Sequence, residues 1–164
     1  MPDGASADPD VTNIVDSGVD GPPDARACEG GDAAMQAGDG SCIVLFTAPL
    51  SFANADAACV GFGARLAILS NAQRDAAAKA LIGTSNVFIG FTDQATENTF
   101  VWVDGTPVTF TNFAADEPNN ANGTFEEDCA MYDGTRGGWD DRPCSNAVPN
   151  IGATPGEYPY LCSF

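Results

Sequence analysis

Between residues 117 and 128 the chain carries four carboxylates, Glu117, Glu126, Glu127 and Asp128, with no lysine, arginine or histidine among them. The stretch that holds them, "EPNNANGTFEEDC", also carries a proline, three asparagines and a glycine, which suits a loop. Two further carboxylates, Asp140 and Asp141, follow Trp139. Hard oxygen donors gathered from separated positions suit calcium, which takes about six to eight oxygens. Histidine is absent from the whole chain. That removes Ser-His-Asp and Cys-His catalysis and imidazole-bound zinc or copper. Paired carboxylates such as Glu117 and Glu127 could serve a glycosidase. A general acid needs a raised pKa, however, and a bound dication would hold both groups ionised. No other nucleophile–base pair is visible, so the expectation is a binding protein and not an enzyme.

An acidic run taken alone is most often a solvated face. It becomes a site only if the fold brings distant carboxylates together. "SCIVLFT" (41–47) is an apolar run consistent with a buried strand, and "SFANADAACVGFG" reads as a helix ended by Gly61 or Gly63. Ser70 and Gln73 have capping-box spacing ahead of an alanine-rich helix, "NAQRDAAAKALI". "NVFIGFTD" and "TFVWVDG" are strand-like, the second turning at Asp104-Gly105. Periodicity fails from about 114 to 128 and returns in "CAMYDG", "GGWDD" and "YPYLCSF". Helices early and strands late give an α+β class, with one long loop holding the acidic run. Trp102 and Trp139 are expected in the core. Phe125, beside the run, is the aromatic expected at a ligand, and Asn122-Gly123-Thr124 forms a glycosylation sequon.

The net charge of −17 argues against nucleic acid or an anionic membrane as partner. Six cysteines, none in a C-x-x-C pair, read as three disulfides formed in an oxidising compartment. Spacing alone leaves about 15 connectivities open. No stretch is long and apolar enough to span a bilayer, and no export leader is visible, as expected of a mature form. Residues 1–27 are poor in large apolar side chains and are expected to form a disordered acidic tether. Asp8 and Asp10 begin a calcium-loop pattern that Asn13 and Val19 break. The ordered domain is expected over residues 28–164.

Over that span the sequence resembles the C-type lectin-like domain family in its long form. The likeness is carried, in order, by "GARLAILS" after Cys59, "FIGFTD", "FVWVDG", the triplet "EPN" at 117–119, "EEDC" at 126–129, "WDD" at 139–141 and the closing "YLCSF". The resemblance implies two helices with antiparallel sheets, a long calcium-binding loop, and the pairs Cys28–Cys42, Cys59–Cys162 and Cys129–Cys144. In the chain-entropy account the long bridge is worth about 4.7 kcal/mol and the last about 3 kcal/mol. The resemblance also implies a main calcium site at Glu117, Asn119, Glu127, Asp140 and Asp141. A cis Glu117–Pro118 bond would turn the two flanking side chains toward one ion. An auxiliary ion would lie at Asp93, Glu97, Asn120, Glu127 and Asp128.

Two vicinal hydroxyls of a sugar would complete the main site, meeting Glu117, Asn119, Glu127 and Asp140. The Glu-Pro-Asn order resembles that of members selecting equatorial hydroxyls, as in mannose, glucose, N-acetylglucosamine and fucose. Two positions depart from the family pattern. Asp140 stands where sugar binders carry asparagine, and a carboxylate has no N–H to offer a hydroxyl. Asn120 stands where aspartate is usual. The expectation is a secreted or surface-tethered, calcium-dependent module for carbohydrate or a glycoconjugate, made avid by multivalency. The alternative is a calcium-stabilised domain of the same fold that binds a protein or another non-sugar surface ligand.

Overall fold

The computed structural model of the protein describes residues 28–120, 126–145 and 156–164. The expected tether over 1–27, Phe125 and the sequon at 122–124 lie outside the described residues. Along the chain come β1 (Ala33–Gln36), β2 (Cys42–Ser51), α1 (Phe52–Gly61), β3 (Arg65–Leu66) and α2 (Ala72–Ile82). They are followed by β4 (Asn86–Thr92), β5 (Val101–Trp102), β6 (Cys129–Asp133), β7 (Gly138–Arg142) and β8 (Glu157–Ser163). The strands join in one sheet of order β1-β2-β8-β4-β6-β7, with β3 added beside β8 and β5 beside β4.

The pairings are antiparallel except that of β4 with β8, parallel at Phe88 and Tyr160, so the sheet is mixed and not purely antiparallel. The last strand therefore lies mid-sheet between β2 and β4, and the chain closes on itself. Three disulfides fasten this closure at the expected pairs, with Cα separations of 5.2 Å for Cys28–Cys42, 5.5 Å for Cys59–Cys162 and 5.1 Å for Cys129–Cys144. Cys59–Cys162 ties α1 to β8, and Cys129–Cys144 ties the start of β6 to the chain just beyond β7.

Helix α2 begins one residue later than the Ser70–Gln73 spacing suggests. Its cap is Asn71, whose Oδ1 accepts from the N–H groups of Gln73 (2.9 Å) and Arg74 (3.0 Å). The Asn71 amide also donates to Asp39 at 2.8 Å, a second bond that a serine hydroxyl at 70 does not make.

Trp102 and Trp139 are in the core, as expected. The two indoles meet edge to face with ring centres 5.6 Å apart, and Phe91 packs against both, 4.4 Å from Trp102 and 5.4 Å from Trp139. Trp139 also reaches helix α2. Its Nε1 donates to Asp75 Oδ1 at 2.9 Å, while Tyr132 (3.2 Å) and Asn112 (2.9 Å) donate to Oδ2. A buried carboxylate with three donors thus links the helix, both strands of the β6–β7 hairpin, and the start of the long loop.

Candidate metal centre

The β6–β7 hairpin pairs Cys129 with Arg142, Ala130 with Asp141, Met131 with Asp140 and Tyr132 with Trp139. Successive strand residues face opposite ways, so Asp140 and Arg142 share one face while Trp139 turns to the other. The long loop leaves the core beside this hairpin. Asn112 accepts from Trp139 N–H at 2.7 Å, and Ala114 N–H donates to the Trp139 carbonyl at 2.8 Å. Gly138 permits that approach, because a Cβ there would stand 2.7 Å from Ala114 N. The loop then turns through a cis Glu117–Pro118 bond. It is pinned by Asp141, whose Oδ1 accepts from Asn119 N–H (3.0 Å) and Oδ2 from Asn120 N–H (2.7 Å).

Carboxylate oxygens of Glu117, Asp140 and Asp141 come within 4.8 Å of one another. Asp140 and Asp141 are each 2% exposed, so water does little to relieve their repulsion. Two arginines do. Arg136 donates to Glu117 Oε1 at 2.5 Å and lies 3.7 Å from Asp140. Arg142 donates to Asp140 Oδ2 at 2.5 Å, and its Nη1 lies 3.9 Å from Glu127 Oε1. Burial nonetheless pushes the Glu117 carboxyl up, against Arg136 and with help from Asp140. Burial likewise raises Asp140 against the pull of Arg142 and Arg136. The Glu117 Oε2 atom is buried with no hydrogen-bond partner among the described residues.

A second acidic group joins Glu97, Glu126 and Asp128, again within 4.8 Å. Asp93 N–H and Thr92 Oγ1 both donate to the Asp128 carbonyl, at 3.1 and 2.6 Å, which holds the end of β4 against the start of β6. Asp93 Oδ2 accepts from Asn98 N–H at 2.8 Å, and its Oδ1 is buried with no partner among the described residues. Asn120 spans the groups. Its amide donates to Glu97 (3.2 Å) and Glu126 (2.9 Å), and its Oδ1 accepts from Glu127 N–H (2.8 Å). Burial, and then the neighbouring carboxylates, push Asp93, Glu97 and Asp128 up.

Of the residues anticipated for the main site, Glu117, Asp140 and Asp141 are brought together, Asn119 is joined through its backbone, and Glu127 faces Arg142. Of the auxiliary set, Glu97 and Asp128 meet while Asp93 and Asn120 adjoin them. Glu126, noted in the acidic run, was assigned to neither ion, and two participants, Arg136 and Arg142, were not anticipated from the sequence. A signal existed for the arginines, since two of the chain's six basic residues flank Trp139-Asp140-Asp141. A hard dication fits this donor set. It is built from carboxylates, and two buried oxygens, Glu117 Oε2 within the first group and Asp93 Oδ1 beside the second, have no hydrogen-bond partner among the described residues.

Comparison with known proteins identifies the family and the fold. The family model for the lectin C-type domain matches residues 48–151. The chain is 33% identical over 122 residues to the mouse (Mus musculus) C-type mannose receptor 2, covering 73% of this chain and 8% of the receptor. It is 38% identical over 90 residues to a chicken (Gallus gallus) mannose-binding protein, covering 54% of this chain and 34% of that one. The chain thus spans a minor part of the length of either relative. Among solved structures, the human scavenger receptor C-type lectin carbohydrate-recognition domain superposes with a TM-score of 0.67 at 22% identity. That match covers 83% of this chain and 98% of that one, and at this identity it speaks for the fold alone.

Proposed function

Since the chain belongs to the C-type lectin domain family, we propose that it is a calcium-dependent carbohydrate-binding module without a catalytic step. The observation that carries this is Glu117 Oε2, buried beside Asp140 and Asp141 with no hydrogen-bond partner among the described residues. Glu117, Asn119, Glu127, Asp140 and Asp141 would hold the main ion, and Asp93, Glu97, Asn120, Glu127 and Asp128 a second. Bound calcium supplies a centre to which two vicinal hydroxyls lend their lone pairs.

The chain's own groups do the rest. Glu117 and Glu127 accept hydroxyl protons, and the Asn119 amide donates to a hydroxyl oxygen. The Glu117-Pro118-Asn119 order favours an equatorial diol of the mannose, glucose, N-acetylglucosamine or fucose type. A mannose-binding relative supports that class. Among the described residues no helix is long and apolar enough to cross a membrane. The three disulfides support a secreted or surface-tethered module, acting on glycoconjugates and gaining strength from multiple copies.

Calorimetry with calcium and retention on mannose-agarose test the proposal. Heat of calcium binding and elution by EDTA are expected. Calcium at about 100 times its Kd should add about 2.7 kcal/mol of stability. Calcium binding with no retention on a broad glycan array would instead favour a non-sugar surface ligand at the same loop.

A further inference from the structure

Asp140 leaves a gap in the chemistry of the site. An asparagine at this position offers an oxygen to an ion and an N–H to a hydroxyl, whereas a carboxylate offers oxygen only. The missing donor stands two residues along the same strand face. Arg142 donates to Asp140 Oδ2 at 2.5 Å through Nη2, while Nη1 lies 3.9 Å from Glu127 Oε1, beyond hydrogen-bond length. Nη1 is therefore held between Asp140 and Glu127, two of the groups at which a diol would bind, and makes no hydrogen bond among the described residues. Its side chain is 37% exposed, so the guanidinium is held by the protein yet open to solvent. The backbone beneath it is rigid, paired with Cys129, which is disulfide-bonded to Cys144. Arg136, by contrast, is committed to Glu117 Oε1 and to the Ala115 carbonyl.

We propose that Arg142 is a specificity-determining residue, supplying the N–H through which this site grips a sugar hydroxyl, so that Asp140 and Arg142 together do the work of one asparagine. This rests on the diol-binding reading above. The charge arithmetic agrees with it. Glu117, Glu127, Asp140 and Asp141 are matched by two guanidiniums and one dication, which leaves the site neutral and suited to an uncharged hexose. A lysine would be a poor substitute, because it lacks the planar fork that can hold Asp140 with one nitrogen and present another.

Calcium affinity by calorimetry, and retention on mannose-agarose competed by methyl mannoside, would be compared for the wild type, Arg142→Gln, Arg142→Lys, Asp140→Asn and the double variant Asp140→Asn/Arg142→Gln. Arg142→Gln should weaken methyl mannoside by about ten- to a hundredfold, the loss of one charge-assisted hydrogen bond. It should bind calcium no more weakly, since a positive charge beside the ion has been removed. Arg142→Lys should not rescue, whereas the double variant should, to within about threefold of wild type. Unchanged sugar affinity in Arg142→Gln would overturn the inference. So would a double variant that binds calcium normally but not sugar. A wild type that binds calcium but no mannoside, while Asp140→Asn gains binding, would overturn the role of Arg142 and leave the diol reading standing. Failure of both to bind mannoside would sink the diol reading itself, and the inference with it.

Discussion

Replacing Asp75 by alanine tests how the core holds the site in place. The carboxylate accepts from Trp139 Nε1 (2.9 Å), Tyr132 OH (3.2 Å) and Asn112 Nδ2 (2.9 Å). Trp139 and Tyr132 are each 0% exposed, so neither donor can turn to water once Asp75 is gone. Stranding a buried donor costs about 1–3 kcal/mol, giving about 2–6 kcal/mol for the pair. Part is offset, because the charged carboxylate is itself buried at a cost, and burial is the main cause pushing the Asp75 carboxyl up. A net loss of about 3 kcal/mol is expected, a fall in Tm on the order of 10–15 °C for a domain of this size. Urea unfolding followed by tryptophan fluorescence would measure it, with an unchanged m value marking a native-state effect. Because Asp140 and Asp141 directly follow Trp139, calcium affinity should fall as well, at a temperature where the variant is still folded. Asp75→Asn should fall between, since one of its two oxygens becomes a donor facing donors. An alanine variant within about 0.5 kcal/mol of wild type would refute the reasoning.

Calcium's stabilising increment should depend on pH. Burial raises Glu117, Asp93, Asp128 and Asp140 in the metal-free protein. A carboxyl raised by folding contributes stability that is full below its unfolded pKa, near 4, and is lost as pH rises through the higher folded value. Calcium requires the charged forms, so its increment in Tm should grow from pH 5 to pH 7, and a constant increment would contradict this. Arg136→Gln, which frees Glu117 Oε1 from an ion pair, should tighten calcium by up to about fivefold, as judged by calorimetry. Joint replacement of Cys129 and Cys144 by serine should cost about 3 kcal/mol in urea unfolding and weaken calcium, because the bridge spans both strands of the hairpin.

Much of the fold could be anticipated because local and global preferences agree. Helix α2 and the strands around Trp102 and Trp139 carry patterns that suit their final surroundings. Strand β1, "AAMQ", carries no local strand signal, having no β-branched or aromatic residue, and is a strand only through its pairing with β2. The choice of Asn71 over Ser70 as helix cap is made by Asp39, 32 positions earlier, which no local pattern reveals. The parallel contact of β4 with β8 is equally non-local. At the site, Glu117, Asp140 and Asp141 could be picked out through their motifs. Arg136 and Arg142 flank one of those motifs, but basic side chains near an acidic run read as surface until the hairpin places them against buried carboxylates.

Asn120 ties the two acidic groups to each other through a single residue. One residue gives its backbone N–H to Asp141 and its side-chain amide to Glu97 and Glu126, and it takes the N–H of Glu127. Any cation that draws Glu97 or Glu126 from that amide disturbs the tie to Asp141, so occupancy on one side must alter affinity on the other. Reciprocity then requires the coupling factor to be the same in both directions, and a two-ion titration of this protein should be cooperative in one sense or the other.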